Sequence, residues 1–159
     1  VPLIITAAGM FFFYARINLV YTFTGVILAH VALATPFVVI TVTATLVGFD
    51  MNMVKAAQSL GAKPMRTFFK VIMPLILPGI ISGALFAFIT SFDEVVIVMF
   101  MASIDQLTIP KQMWAGIRQE ISPVILCMAT CLVLLSIFLL TTVELLRRRS
   151  EKLRGIKAR

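Results

Sequence analysis

The sequence predicts an all-α membrane protein, a bundle of helices that crosses the bilayer more than once. Hydrophobic residues make up 60% of the chain, and the mean hydropathy of +1.05 is too high for a soluble domain. Three stretches, residues 24–47, 79–102 and 123–143, are almost free of charged side chains. Each is long enough to supply the ~20 residues that a spanning helix needs.

The first apolar segment, residues 1–15, is shorter than a complete span. It ends at a polar break marked by Arg16, Asn18 and Tyr21. Because Val1 is not an initiator residue and no signal peptide is recognisable, we expect an N-terminally truncated chain from a longer protein.

The second segment, residues 24–47, is predicted to span the membrane. Pro36 removes a backbone hydrogen bond in its middle and predicts a kink. His30 has two interpretations, because polar side chains in spans usually face protein or water. It either lines a pathway or lies near the outer interface.

Residues 49–78 predict a hairpin of two short helices. Asp50 is a suitable N-cap for the first helix, and Gly61 stands where a left-handed residue would end it. Pro64 suits the first turn of the second helix, and Pro74 is expected to stop that helix. The second helix is predicted to be amphipathic, with an apolar stripe at helical spacing and a separate basic face. The stripe is Met65, Phe68, Phe69, Ile72 and Met73, and the basic face is Lys63, Arg66 and Lys70.

The next segment, residues 79–102, is predicted to be one spanning helix. Gly79, Gly83 and Ala87 give it a face of small residues that allows another helix to approach closely. This face lies against either a partner subunit or another helix of the same chain.

Asp93 and Glu94 are predicted to lie in the outer half of that span, about 21 Å along its axis. On one helix, adjacent residues point about 100° apart. Carboxylates at such a depth face water or a cation, since they are otherwise costly to bury. They mark either the cation-attracting mouth of a pathway, or the outer interface, or a structural ion pair with Arg16 or Arg118.

The end of the chain sets the predicted orientation. Residues 103–122 form a neutral loop in which Trp114 is either an interfacial anchor or part of a segment that contacts a delivering protein or enters the membrane as a plug. A basic tail, residues 147–159, follows the last span. Basic flanks favour the cytoplasm, and two spans separate the hairpin from the tail. Both are therefore predicted to lie inside.

The sequence contains no pattern for bond-breaking chemistry. It has no Gly-rich phosphate loop followed by Lys and Ser or Thr, a single histidine, and no cluster of metal ligands. Nucleic-acid binding is a poor explanation of the net charge of +7, because half of the basic residues follow the last span. We therefore expect a membrane protein that is not an enzyme, holds no cofactor, and depends on a partner for energy.

The hairpin resembles the cytoplasmic coupling loop of bacterial ABC-importer permeases. That loop reads Glu-Ala-Ala, three residues, Gly, nine residues and Ile-x-Leu-Pro; here the matching positions are Lys55-Ala56-Ala57, Gly61 and Val71-Ile72-Met73-Pro74. Lys55 departs from the glutamate of the family, which alters any ion pair made there. The alternative is an ordinary amphipathic helical hairpin.

A second set of motifs is similar to the spermidine/putrescine permease subfamily. Ser91-Phe92-Asp93-Glu94 looks like its Ser-x-Asp-Asp/Glu sequence. Thr108-Ile109-Pro110 and Ile117-Arg118 resemble the Thr-Leu-Pro and Ile-Arg of its outer loop.

The resemblance implies a type I ABC-importer permease, with residues 1–159 forming part of one transmembrane domain in the bacterial inner membrane and the C-terminus in the cytoplasm. It implies an ABC ATPase dimer that binds the ATP, a second permease subunit and an extracytoplasmic substrate-binding protein as partners. The implied residues for ATPase coupling are Lys55, Ala56, Ala57, Gly61, Met65, Phe68, Phe69 and Pro74, and those for the substrate path are Ser91, Asp93 and Glu94.

The implied function is import of a polyamine. The alternatives are an importer permease for another small solute, such as iron, an organophosphonate or sulfate, and, outside the family, a channel, a secondary transporter or a membrane scaffold. A secondary transporter is expected to show inverted repeats, and the sequence shows no internal repeat.

Overall fold

The structure, a computed structural model, describes the backbone of residues 2–119 and 123–153. The regular elements in those residues are all helical. In chain order they are α1 Leu3–Arg16, α2 Phe23–Val47, α3 Asn52–Ser59, α4 Pro64–Thr67, a π-helical segment Phe68–Ile72, α5 Met73–Phe92, α6 Val96–Met101, α7 Ile109–Gln119 and α8 Pro123–Leu153.

Within the described residues, three stretches are long and apolar enough to cross a membrane: Phe23–Val47, Pro64–Phe92 and Pro123–Thr142. The predicted all-α class is confirmed, as are the first and last predicted spans. The chain divides into two compact units, one formed by Val1–Leu33 with Ile89–Arg159 and the other by Ala34–Phe88.

In the first unit, the break predicted after α1 is present and is held by backbone hydrogen bonds. Asn18 and Tyr21 adopt φ values of 55° and 63°, a left-handed conformation that residues other than glycine seldom adopt. The N–H of Tyr21 donates to the carbonyl of Met101 at 2.9 Å, and the carbonyl of Tyr21 accepts from the Gln106 side chain at 3.3 Å. Both backbone groups of Tyr21 thus tie the break to the chain around the end of α6.

Thr22 caps the N-terminus of α2. Its hydroxyl accepts a hydrogen bond from the N–H of Gly25 at 3.0 Å and donates one to the carbonyl of Leu19 at 2.7 Å. The first N–H groups of a helix have no partner inside it, so a side-chain oxygen here stabilises the helix. From this cap, α2 continues through Pro36 to Val47.

Replacing Thr22 with alanine is expected to lower the free energy of unfolding by about 1 kcal/mol, the usual cost of losing an N-cap. Thermal unfolding of the detergent-purified protein measures the effect. The matched control is Thr24→Ala, which removes an exposed threonine two residues further on. Equal midpoints for the two variants would show that the cap does not stabilise α2.

The core of the first unit lies where α6 packs against α1. Its centre is formed by four fully buried side chains, Ala7, Ala29, Ile97 and Met101. Partly buried apolar side chains surround it: Met10, Phe11, Tyr14, Val20, Val26, Leu33, Val96 and Phe100. The short helix α6 is therefore fixed by its neighbours even though it has only 6 residues.

The segment after α6 is more regular than expected. Residues 103–122, predicted as a loop, contain the amphipathic helix α7, which packs against α8. Lys111 Nζ donates to the carbonyls of Ala102 and Ser103 at 3.4 and 3.0 Å, and Trp114 is about half exposed. The predicted basic tail begins within α8, and residues 154–159 lie outside the described residues.

In the second unit, the local signals of the hairpin are confirmed. The Asp50 carboxylate accepts a hydrogen bond from the N–H of Asn52 at 2.9 Å, as an N-cap does, and the assigned helix starts at Asn52. Gly61 has a φ of 77°. The N–H of Gly61 donates to the carbonyl of Gln58 at 2.9 Å and that of Ala62 to the carbonyl of Ala57 at 3.0 Å, which defines a Schellman motif.

The prediction that Pro74 stops the second helix is wrong. Pro64 begins α4 as expected, but α4, the π-helical segment and α5 form one continuous stretch, Pro64–Phe92. In an α-helix the proline ring collides with the carbonyl four residues earlier. The π-helical turn that precedes Pro74 pairs each residue with the fifth rather than the fourth, so it alters the backbone at the point of collision.

The small-residue face of α5 lies against α2 within this unit. A Cβ atom on Gly79 would collide with Thr45 Oγ1, and one on Gly83 would collide with Thr41 Oγ1 and lie 3.0 Å from Val38 Cα. The structure therefore shows the second of the two predicted contacts, that with another helix of the same chain. The absence of side chains at these glycines allows the two helices to touch.

Candidate functional site

The predicted span 79–102 is interrupted at the two carboxylates. Helix α5 ends at Phe92, residues 93–95 are not helical, and α6 begins at Val96. The prediction that Asp93 and Glu94 lie about 100° apart within one helix is therefore wrong. The pair lies instead in a turn between two helices.

The two carboxylates have different surroundings. Glu94 is only 6% exposed, and its Oε1 accepts a hydrogen bond from the N–H of Ile97 at 2.7 Å. Asp93 is exposed. Its N–H closes the last turn of α5 by donating to the carbonyl of Ile89 at 3.1 Å. One carboxylate is thus directed into the protein and its neighbour is accessible.

His30 contacts this turn, a feature that the sequence interpretation did not identify. The imidazole Nδ1 of His30, on α2, lies 2.9 Å from the hydroxyl oxygen of Ser91 in the last turn of α5. His30 and Ser91 are 61 positions apart in the sequence, so no local pattern predicts the contact. We refer to Asp93 and Glu94 in the turn, together with Ser91 just before it and His30 beside it on α2, as the polar turn.

The polar turn is suited to binding a cation. The C-terminal end of the 20-residue helix α5 carries partial negative charge from its last carbonyl groups. The exposed carboxylate of Asp93 adds a full negative charge next to it. Among the side chains that the structure describes, there is no group of three or more His, Cys, Asp or Glu residues that could hold a metal ion. The negative charge of the turn attracts positively charged groups.

The residues assigned to coupling lie together in the second unit, where α3 packs against α4 and the π-helical segment. Leu60, Met65 and Phe69 are 89%, 71% and 58% exposed. Phe68 is less exposed and contacts Phe69 edge to face, with ring centroids 5.1 Å apart. We refer to these four side chains, with the exposed Met53, as the hairpin surface. Exposed apolar groups of this size mark contact surfaces.

The other residues of the coupling motif are distributed around that surface. Lys55, Ala56 and Gly61 are exposed, and Ala57 is half-buried. Pro74 is half-buried and lies at the start of α5, after the π-helical segment, so it is not part of the hairpin surface. The basic side chains Lys63, Arg66 and Lys70 are all exposed.

Together these features define the class of the protein: a helical membrane protein with several spans, an apolar hairpin and a carboxylate-bearing turn. Residues 1–152 match the family described as binding-protein-dependent transport system inner membrane component. The chain belongs to this family, and the resemblance seen in the hairpin motif is confirmed.

The chain is similar to spermidine/putrescine permeases. It is 30% identical to the spermidine/putrescine transport system permease protein PotC of Haemophilus influenzae over 94% of this chain and 58% of that protein. It is 29% identical to PotC of Escherichia coli strain K12, over 95% of this chain and 57% of the relative. It is also 37% identical to the putrescine transport system permease protein PotI of that strain, over 65% of this chain and 37% of the relative. The chain therefore spans less than two thirds of the length of these relatives.

Proposed function

We propose that this chain belongs to the membrane-spanning permease subunit of an ATP-driven importer for polyamines, with spermidine and putrescine as substrates. The observation that carries the proposal is the exposed Asp93 at the C-terminal end of α5, in a sequence similar to that of named spermidine/putrescine permeases. The proposed substrate path passes Ser91, Asp93 and Glu94.

The chemistry of the polar turn matches that of a polyamine. Polyamines carry several ammonium groups, and each loses hydration when it enters a narrow path. A carboxylate next to a helix C-terminus compensates for that loss by Coulomb attraction and hydrogen bonding. An anionic solute such as sulfate or an organophosphonate would be repelled by the same groups.

The hairpin surface is proposed to dock into a groove on an ABC ATPase dimer, which binds and hydrolyses the ATP. Its side chains are large, apolar and exposed, as in helices that bind in a groove. Methionine adapts to irregular grooves, and the exposed Lys63, Arg66 and Lys70 add a positive rim. Movement of the ATPase would reach the membrane through the unbroken helical stretch Pro64–Phe92.

The remaining partners follow from the family. We propose a second permease subunit beside this one, an extracytoplasmic substrate-binding protein, and residence in the bacterial inner membrane. The hairpin and the basic C-terminal tail would face the cytoplasm, as expected for basic residues that flank spans.

Uptake of labelled spermidine by cells that express the complete transport operon is expected to be saturable and dependent on this gene. Unlabelled putrescine is expected to compete, whereas iron, an organophosphonate and sulfate are not. The matched control is a strain that lacks only this gene. Absence of gene-dependent spermidine uptake, or competition by an anion, would contradict the proposal.

A further inference from the structure

We propose that the two adjacent carboxylates have separate roles: Asp93 contacts the ammonium group of the substrate, and Glu94 is a positioning residue that fixes the turn presenting Asp93. Ser91 and His30 support the same turn from its other side. This inference rests on the proposed function and assigns its specificity to a single carboxylate.

The side chain of Glu94 is buried and already has a hydrogen-bond partner. Its Oε1 accepts the N–H of Ile97 at 2.7 Å, and the residue is 6% exposed. The N–H of Ile97 lies in the first turn of α6, where no carbonyl within the helix is available to it. If Glu94 turned toward a substrate, it would leave a buried N–H without a partner. Such a loss is costly in the protein interior, and Ile97 itself is fully buried.

The contact between His30 and Ser91 holds the other end of the turn. Ser91 lies two residues before Asp93, and its hydroxyl oxygen is 2.9 Å from His30 Nδ1 on α2. This contact joins the last turn of α5 to a neighbouring helix of the same compact unit. The backbone of Asp93 is thus flanked by anchors at residues 91 and 94.

Asp93 combines a fixed backbone with an exposed side chain. Its N–H bonds to the carbonyl of Ile89 at 3.1 Å, while its side chain is exposed. A charged group held in this way binds a ligand with less loss of conformational entropy. The arrangement gives one carboxylate a binding role and gives its neighbour the role of holding it in place.

Kinetics of labelled spermidine uptake distinguish the two roles. Asp93→Asn keeps the size of the side chain and removes its charge, so the apparent KM is expected to rise about tenfold, as for loss of a charge-assisted hydrogen bond. Glu94→Ala removes the support of the turn and is expected to lower the maximal rate severalfold. Glu94→Gln retains an oxygen that accepts the Ile97 N–H and is expected to restore most of that rate.

The opposite pattern would overturn the assignment. If Glu94→Gln raised the apparent KM as much as Asp93→Asn, both carboxylates would contact the substrate. If Glu94→Ala does not accumulate, Ser91→Ala tests the second anchor, and Ser91→Thr, which restores the hydroxyl, is its conservative partner. A KM and maximal rate unchanged in Ser91→Ala would also contradict the assignment. Absence of spermidine uptake by the wild-type operon would instead contradict the proposed function.

Discussion

Leucine in place of Gly83 is expected to prevent α5 from packing against α2 in the second unit and to reduce the amount of folded protein severely. A Cβ at this position would lie 3.0 Å from the backbone Cα of Val38 and would collide with the Thr41 hydroxyl. Overpacking of a close contact usually costs about 1–3 kcal/mol. The nearest atom is the Thr41 hydroxyl oxygen, which a side-chain rotation could move, but the next is the backbone Cα of Val38, so rotation relieves only part of the strain.

The matched control is Ala84→Leu, one residue further along the same helix, where the side chain is exposed. Leucine is a better helix former than glycine by about 1 kcal/mol, so helix propensity alone favours the Gly83 variant. The yield of monodisperse protein in mild detergent and its thermal midpoint measure the effect. Equal values for the two variants would show that the glycine contact does not hold α5 to α2.

Valine in place of Gly61 is expected to reduce co-purification of the ATPase about tenfold. The φ of Gly61 is 77°, and a Cβ there would have no neighbouring atom within 4 Å. The substitution therefore acts only through backbone conformation. A left-handed conformation costs an ordinary L-residue about 1–2 kcal/mol, and a β-branched residue fits it especially poorly. A tenfold change in affinity corresponds to about 1.4 kcal/mol.

Gly61→Asn is the control, because asparagine tolerates the left-handed conformation better than other side chains. It is expected to preserve both the Schellman motif and recovery of the ATPase from mild detergent. The membrane abundance of both variants should be compared with that of wild type, so that loss of the complex is not confused with loss of the protein. Equal recovery with the valine variant would contradict docking through the hairpin.

Structural features that depend on only a few neighbouring residues could be predicted from the sequence. Asp50, Gly61 and Pro64 each affect the helix terminus at which they stand, through a side-chain oxygen, a permitted φ and a missing N–H. The structure uses all three as predicted. The lengths of the first and last spans followed from uninterrupted apolar runs in the same way.

Structural features that depend on neighbouring elements could not be predicted from the sequence. The effect of Pro74 depended on whether the preceding turn was α-helical or π-helical, and the residue types do not specify that. The break at residues 93–95 lies inside an apolar stretch without glycine or proline near it. The two adjacent carboxylates were the one signal of this break in the sequence. A carboxylate often accepts a backbone N–H at the start of a helix, so its presence here could have indicated that a new helix begins.

The same reason explains why the site was identified only in part. Ser91, Asp93 and Glu94 were selected from their motif, and the structure brings them together in one turn. The burial of Glu94 arises only in the folded chain, and the contact with His30 depends on how α2 packs. Neither the burial nor the contact can be inferred from the residues next to the site in the sequence. The different environments of the two carboxylates were therefore visible only in three dimensions.

The π-helical segment Phe68–Ile72 has a consequence for changes in chain length. In an α-helix each residue adds about 100° of rotation, so deleting one residue turns everything before it relative to everything after it. A π-helical turn contains a surplus residue relative to the α-helix around it. Loss of one residue here would return the turn to α-helical geometry and leave the two flanking faces in register. This helix therefore has one place where evolution can delete a residue without rotating the hairpin against the membrane.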